Sequence, residues 1–125
     1  MYQVWYIVIM NNNYRLQVVF YKSDSGNEPV RDWLKKLGKE DRRLIGGDIK
    51  TVQFGWPLGM PLVRKLEKDL WEVRIHLDSR IARILFTVHS NLMVLLHGFI
   101  KKSQKLPAND LKIAKRRITF LGGKK

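Results

Sequence analysis

The sequence predicts an α+β fold: an N-terminal strand and two helices, then an antiparallel three-strand meander and a C-terminal helix. Three observations carry that expectation. Residues 70–102 (LWEVRIHLDSRIARILFTVHSNLMVLLHGFIKK) alternate apolar and polar side chains and are cut twice by short turn signals, Asp78-Ser79 and Ser90-Asn91. Residues 28–54 and 106–121 instead repeat their apolar side chains at helical spacing. No internal repeat, low-complexity stretch or linker interrupts the chain, so one domain over residues 1–125 is expected, with helices to one side of a mostly antiparallel sheet.

In chain order, residues 1–10 (MYQVWYIVIM) are almost uniformly apolar, but they lack a basic start and a cleavage signal and are too short to span a bilayer. Residues 1–13 are expected to be either an extra edge strand or an extension that packs on a neighbour, and Met10 could serve as an alternative start. Residues 14–21 (YRLQVVFY) read as a strand, closed by the turn formers of residues 22–27. Glu28-Pro29 suits a helix start, with Val30, Leu34 and Leu37 on one face until Gly38. A second helix over about 40–54 carries the stripe Ile45, Ile49, Val52, and Gly46-Gly47 within it predicts a bend or a close helix approach. Residues 55–61 form a loop, Arg64-Lys65-Leu66 leads back to the sheet, and Glu67-Lys68-Asp69 is a tight turn. After the meander, residues 101–105 are a basic connector. Leu106-Pro107 opens the last helix, whose stripe is Leu111, Ala114, Ile118 and Leu121. Trp33, Trp56 and Trp71 are expected in the core.

The meander's register can be read further, because residues opposite each other in a hairpin share a face. A two-residue loop at Asp78-Ser79 sets Leu77 against Arg80 and Arg74 against Arg83. Opposed arginines repel unless an anion lies between them, which hints at a phosphate site. A three-residue loop at Ser90-Asn91-Leu92 sets Arg83 against Phe99, Leu85 against His97, and Ile84, Phe86 and Val88 against Gly98, Leu96 and Val94. One face is then wholly apolar, and the other gathers Glu72, Arg74, His76, Arg83, His97, Phe99 and Lys101.

Charge points the same way. The net charge is +13 with a pI near 10.3. Residues 64–125 hold 15 Lys+Arg against 5 Asp+Glu, hence +10, and residues 1–63 hold 9 against 6, hence +3. A basic half of this kind meets nucleic acid or an acidic protein more often than anionic lipid. With no cysteine, disulfides and thiolate metal sites are excluded, and a cytoplasmic location is expected. There is no His-x-x-x-His, no carboxylate cluster and no glycine-rich phosphate loop, so neither a metal nor another cofactor is expected.

Lys65-Leu66, Leu70-Trp71-Glu72-Val73-Arg74, Ala82-Arg83-Ile84, Leu96-His97-Gly98-Phe99-Ile100-Lys101-Lys102, Pro107 and Ala114, in that order and spacing, resemble the RelE/ParE toxin superfamily, and most closely its HigB-type, phage Gp49-like branch. The resemblance covers roughly residues 14–121. It implies a RelE-like fold and the toxin of a type II toxin-antitoxin system: a metal-independent endoribonuclease that enters the ribosomal A site and cuts mRNA. A HigA-like antitoxin with acidic contacts would hold it inactive in a hetero-oligomer. By position, the resemblance makes Lys65, Arg74, Arg83, His97 and Lys101 the catalytic groups. Phe99 stands where the RelE type carries a tyrosine, so a tyrosine-assisted mechanism is not expected.

Cutting RNA without a metal requires a base for the 2′-OH, a proton donor for the leaving 5′ oxygen, and positive charge on the phosphorane. His97, with histidine's ordinary pKa of about 6.5, suits base or acid; the plainer reading is a hydrogen-bonded histidine in a half-buried sheet. Arg74 and Arg83 would clamp the scissile phosphate; the plainer reading is pairing with carboxylates on a solvated face. Glu72, flanked by arginines, is expected to orient Arg74 rather than act as base. Arg64, Lys102, Lys105 and Phe99 are the candidates for holding RNA, and His76 and His89 read as surface residues. Two rival functions share the sequence features: a ParE-like DNA gyrase inhibitor of the same fold, and a non-catalytic basic nucleic-acid-binding module.

Overall fold

The structure is a computed structural model, and it describes residues 15–101 and 108–123. The architecture is α+β. Strand β1 (Gln17–Phe20) is followed by helices α1 (Pro29–Lys35) and α2 (Lys39–Gly55), then by β2 (Val63–Glu67), β3 (Leu70–His76), β4 (Ile81–His89) and β5 (Leu92–Ile100), and finally by α3 (Ala108–Gly123). The five strands form one mixed sheet in the order β1-β5-β4-β3-β2. Only β1 runs parallel to its neighbour, pairing Val18 with Met93 and Phe20 with Leu95. The apolar start at residues 1–13, Trp5, Tyr14 and the basic connector with Lys102, Lys105 and Pro107 lie outside the described residues.

Local chemistry explains the helices. Pro29 occupies the first turn of α1, where its missing N–H costs nothing, and Val30 and Leu34 are buried. The α2 stripe Ile45, Ile49 and Val52 is fully buried against the sheet. Gly47 makes no close approach, since a Cβ there would meet nothing within 4 Å. Gly98 does make a tight contact: a Cβ there would stand 2.6 Å from the Trp33 ring, so β5 lacks a side chain where α1 lays its indole. Trp33, Trp56 and Trp71 are partly buried and pack on the core, as expected.

Two expectations about the sheet need correction. The first concerns β2, which the sequence reading treats as a lead-in rather than a strand. It pairs antiparallel with β3, and a register shift between Lys65 and Glu67 breaks the strict alternation that would have revealed it. The described meander therefore has four antiparallel strands.

The second concerns the sides of the sheet. Helices α1 and α2 cover the face of Val73, Ile75, Ile84 and Phe86, while α3 covers part of the other face. That second face is not polar throughout. Leu70, Leu85, Val94 and Leu96 form an apolar patch on which Leu111, Ala114 and Ile118 of α3 dock, so the helices lie on both sides. Among the described residues, the charged groups of this face lie at its end beyond the patch.

The hairpin register is as expected at the first turn: Leu77 N donates to Arg80 O at 2.9 Å, and Arg74 opposes Arg83. The second hairpin differs. His89 pairs with Leu92 across a two-residue loop, and Phe86, Thr87 and Val88 meet Leu95, Val94 and Met93. Between Leu85 and Phe86 the register then shifts by one, which leaves Leu96 as the extra residue of a β-bulge. Beyond it Leu85 meets His97, Ile84 meets Gly98 and Arg83 meets Phe99, the pairs the sequence reading expects. The bulge supplies the offset that a longer loop would give. Among the described residues no helix is long and apolar enough to cross a membrane.

Candidate functional site

The charged end of the sheet is built in rows. Arg64, Glu72, Leu85 and His97 are successive partners across β2, β3, β4 and β5, and Arg74, Arg83 and Phe99 form the next row. Lys101 follows at the far end of β5, its backbone N–H donating to Ile81 O at 2.7 Å. Adjacent rows on one face are two residues apart, about 6.6 Å. His97 and Lys101 therefore flank the row of paired arginines from opposite sides.

Glu72 is the anionic centre. Its side chain has no exposed surface, and Arg83 beside it is 2% exposed. Arg83 Nε lies 2.7 Å from Glu72 Oε2, and Arg64 Nε lies 3.8 Å from Oε1. The carboxylate thus pairs with Arg83 and Arg64, which corrects the expectation that it orients Arg74. Neither Glu72 oxygen, nor Arg83 Nε or Nη1, nor Arg74 Nε has a hydrogen-bond partner among the described residues. Close charges without aligned hydrogen bonds leave buried guanidinium donors open, and open buried donors need an explanation. An anion seated between the two arginines provides one.

The surroundings agree in sign. Burial pushes the Arg83 guanidinium pKa down, Glu72 opposes that shift, and Arg74 and Arg64 add to it. The Lys101 ammonium is also held below its ordinary value, first by lost hydration and then by Arg74 and Arg83. Four cations, Arg64, Arg74, Arg83 and Lys101, thus share one carboxylate, a local charge of +3. Such an excess raises the local concentration of anions.

His97 sits at the rim of this cluster. Its Nε2 is 2.5 Å from Asp110 Oδ1 in the first turn of α3, and its ring stacks on Phe99 with centroids 5.5 Å apart and planes at 27°. Asp110 is absent from the sequence-based candidates, although a signal for it existed. It shares the helix face of Ala114 and Leu121, so a carboxylate in an apolar stripe had to meet a polar partner on the sheet.

The structure brings together Arg64, Glu72, Arg74, Arg83, His97, Phe99 and Lys101. It does not bring Lys65 to them. Lys65 pairs in register with Trp71 and lies over that indole at 5.7 Å, on the face covered by α1 and α2. Alternation puts Arg64, not Lys65, beside Glu72. His76 and His89 are exposed, as expected. Among the described residues no group of three His, Asp or Glu side chains could hold a metal ion.

Fold and site together define a small cationic α+β protein with paired arginines at one end of its sheet. A family model described as "Phage derived protein Gp49-like (DUF891)" matches residues 32–119, a span that includes every clustered residue and Asp110. The chain belongs to this Gp49-like family, which is a RelE/toxin-like family. A search of curated proteins finds no match.

Proposed function

We propose that the protein is a HigB-type toxin of a type II toxin-antitoxin pair, acting as a ribosome-dependent, metal-independent mRNA endonuclease. The observation that carries this reading is the directly opposed Arg74–Arg83 pair, with buried donors lacking acceptors and with His97 and Lys101 on either side. In-line displacement at phosphorus needs a proton acceptor and a proton donor on opposite sides of the phosphate. The row geometry supports that arrangement.

In the proposed step, the RNA 2′-OH gives its proton to His97 as its oxygen bonds to phosphorus. The P–O5′ bond breaks, and Lys101 gives a proton to the departing oxygen. Its depressed pKa makes the ammonium a readier donor. Arg74 and Arg83 take the charge of the crowded phosphorane. The products are a 2′,3′-cyclic phosphate and a 5′-hydroxyl. Arg64 and Phe99 would hold the RNA beside the scissile phosphate, with Lys102 and Lys105 extending the contact to ribosomal RNA. An acidic antitoxin would cover the same surface, since it carries the cationic excess.

The test is brief expression in bacteria followed by primer extension on cellular mRNA. New 5′ ends inside translated frames are expected from the wild type, and neither ends nor growth arrest from Arg74→Ala or His97→Ala with the fold retained. Growth arrest with intact mRNA and inhibited gyrase supercoiling would instead support the ParE-like reading.

A further inference from the structure

We infer that Asp110 is a positioning residue: it fixes the orientation and tautomer of the His97 ring, so the site is complete only when the first turn of α3 is docked on the sheet. This rests on the reading of His97 as the proton acceptor.

The chemistry of the contact sets the tautomer. An ionised carboxylate has no proton to donate, so the ring nitrogen facing Asp110 Oδ1 at 2.5 Å must be the one carrying hydrogen. The neutral ring then bears its lone pair on Nδ1, the nitrogen turned away from Asp110. Stacking on Phe99 restrains the plane of the ring, and Asp110 restrains its rotation within that plane. Both partners are largely shielded from water, with side chains 16% and 19% exposed, so the pair is weakly screened.

Asp110 is itself held firmly. Its place in the first turn of α3 suits an anion, because the N-terminal end of a helix is electropositive. Farther along the helix, Arg117 donates from Nη1 to Leu96 O at 2.6 Å and lies 5.3 Å from the Tyr21 ring centroid. Ala114 is fully buried on the sheet, and Lys115 pairs with Glu67 at 3.3 Å. Leu96, the residue Arg117 grips, is the bulge residue just before His97. One helix therefore holds both the backbone before His97 and the ring of His97. Arg83 also feels the charge of Asp110, which ties the dyad to the arginine row.

The competing role is a staple in which the pair only fastens α3 to β5. A double-mutant cycle separates the two. Cleavage of an mRNA on purified translating ribosomes is measured for the wild type, Asp110→Ala, His97→Ala and the double variant, with thermal unfolding of each. A positioning residue acts through His97, so Asp110→Ala should lower kcat roughly 10- to 100-fold with KM little changed. In the His97→Ala background it should cause no further loss. An equal loss in both backgrounds would overturn the inference. Independently of cleavage, long-range proton–nitrogen NMR of the neutral His97 ring should find its proton on Nε2 in the wild type. A proton on Nδ1 would also overturn it. If the wild type cuts no RNA, the functional reading fails, and the ring measurement alone decides the role of Asp110.

Discussion

At the scale of single residues, the site is held together by a carboxylate that cannot be replaced cheaply. Glu72 is fully buried against Arg83, and a buried charge that loses its partner costs several kcal/mol. Glu72→Gln keeps the shape but removes the charge. It should destabilise the protein by about 3–5 kcal/mol, read as a lower urea midpoint. Lys101 should behave in the opposite sense. Its ammonium is disfavoured in the folded state by lost hydration and by Arg74 and Arg83, so the unfolded chain binds the proton more readily. The penalty applies while Lys101 is charged and fades as pH rises through its depressed folded pKa. Lys101→Gln should therefore raise Tm in low salt, less so in high salt, while cleavage falls. A variant that gains stability as it loses activity marks a residue kept for chemistry.

At this scale the sequence was informative wherever alternation decided a side chain's face. Arg74 and Arg83 could be brought together from strand period and turn length alone, whereas His97 reached their face through a loop length that the structure replaces with a bulge. The face of Lys65 was not legible in the same way, because its role came from resemblance by position, and the alternation of β2 sends it to the other face with Trp71. Asp110 required knowing that α3 crosses the second face, which depends on long-range packing rather than local pattern.

Among the elements, β5 has the most demanding geometry. It carries a bulge at Leu96, a glycine at Gly98 and the candidate site residues His97 and Phe99 within a short run that leads into Lys101. Bulges leave a weak local signal, since one extra residue resembles a longer turn. That is why the correct pairing at His97 could be reached through an incorrect loop. Gly98 gives a direct check. Its missing Cβ leaves room for the Trp33 indole, a rigid bicycle that cannot fold away, so Gly98→Ala should destabilise the protein by about 1–3 kcal/mol. Thermal unfolding should show that loss, and pairing it with Trp33→Leu should recover part of it. If Gly98→Ala unfolds at the wild-type temperature, the packing of α1 on β5 differs from that described. The helices were legible from spacing and from Pro29 and Gly38. The side of the sheet that α3 covers was not, because the apolar patch of Leu70, Leu85, Val94 and Leu96 comes from three strands and no single one displays it.

Over the whole molecule, the net charge of +13 has its excess in residues 64–125, and the Arg74–Arg83 row, with Arg83 buried, lies within that cationic half of the chain. An anion that binds the folded state alone stabilises it in proportion to the logarithm of its concentration. Sulfate or inorganic phosphate should thus raise the Tm of the wild type more than that of Arg74→Ala, compared at matched ionic strength in chloride. Equal shifts would mean that the cations act only as a diffuse surface. RNA affinity should fall steeply with salt, and the slope should flatten as each phosphate contact is removed.

The most direct measurement is the end chemistry of an mRNA exposed to the purified protein on translating ribosomes. Attack by the 2′-OH at the arginine pair should leave a 2′,3′-cyclic phosphate upstream and a 5′-hydroxyl downstream, and Arg74→Ala should abolish both. Fragments ending in a 3′-hydroxyl and a 5′-phosphate, or an mRNA left whole by the folded wild-type protein, would contradict it.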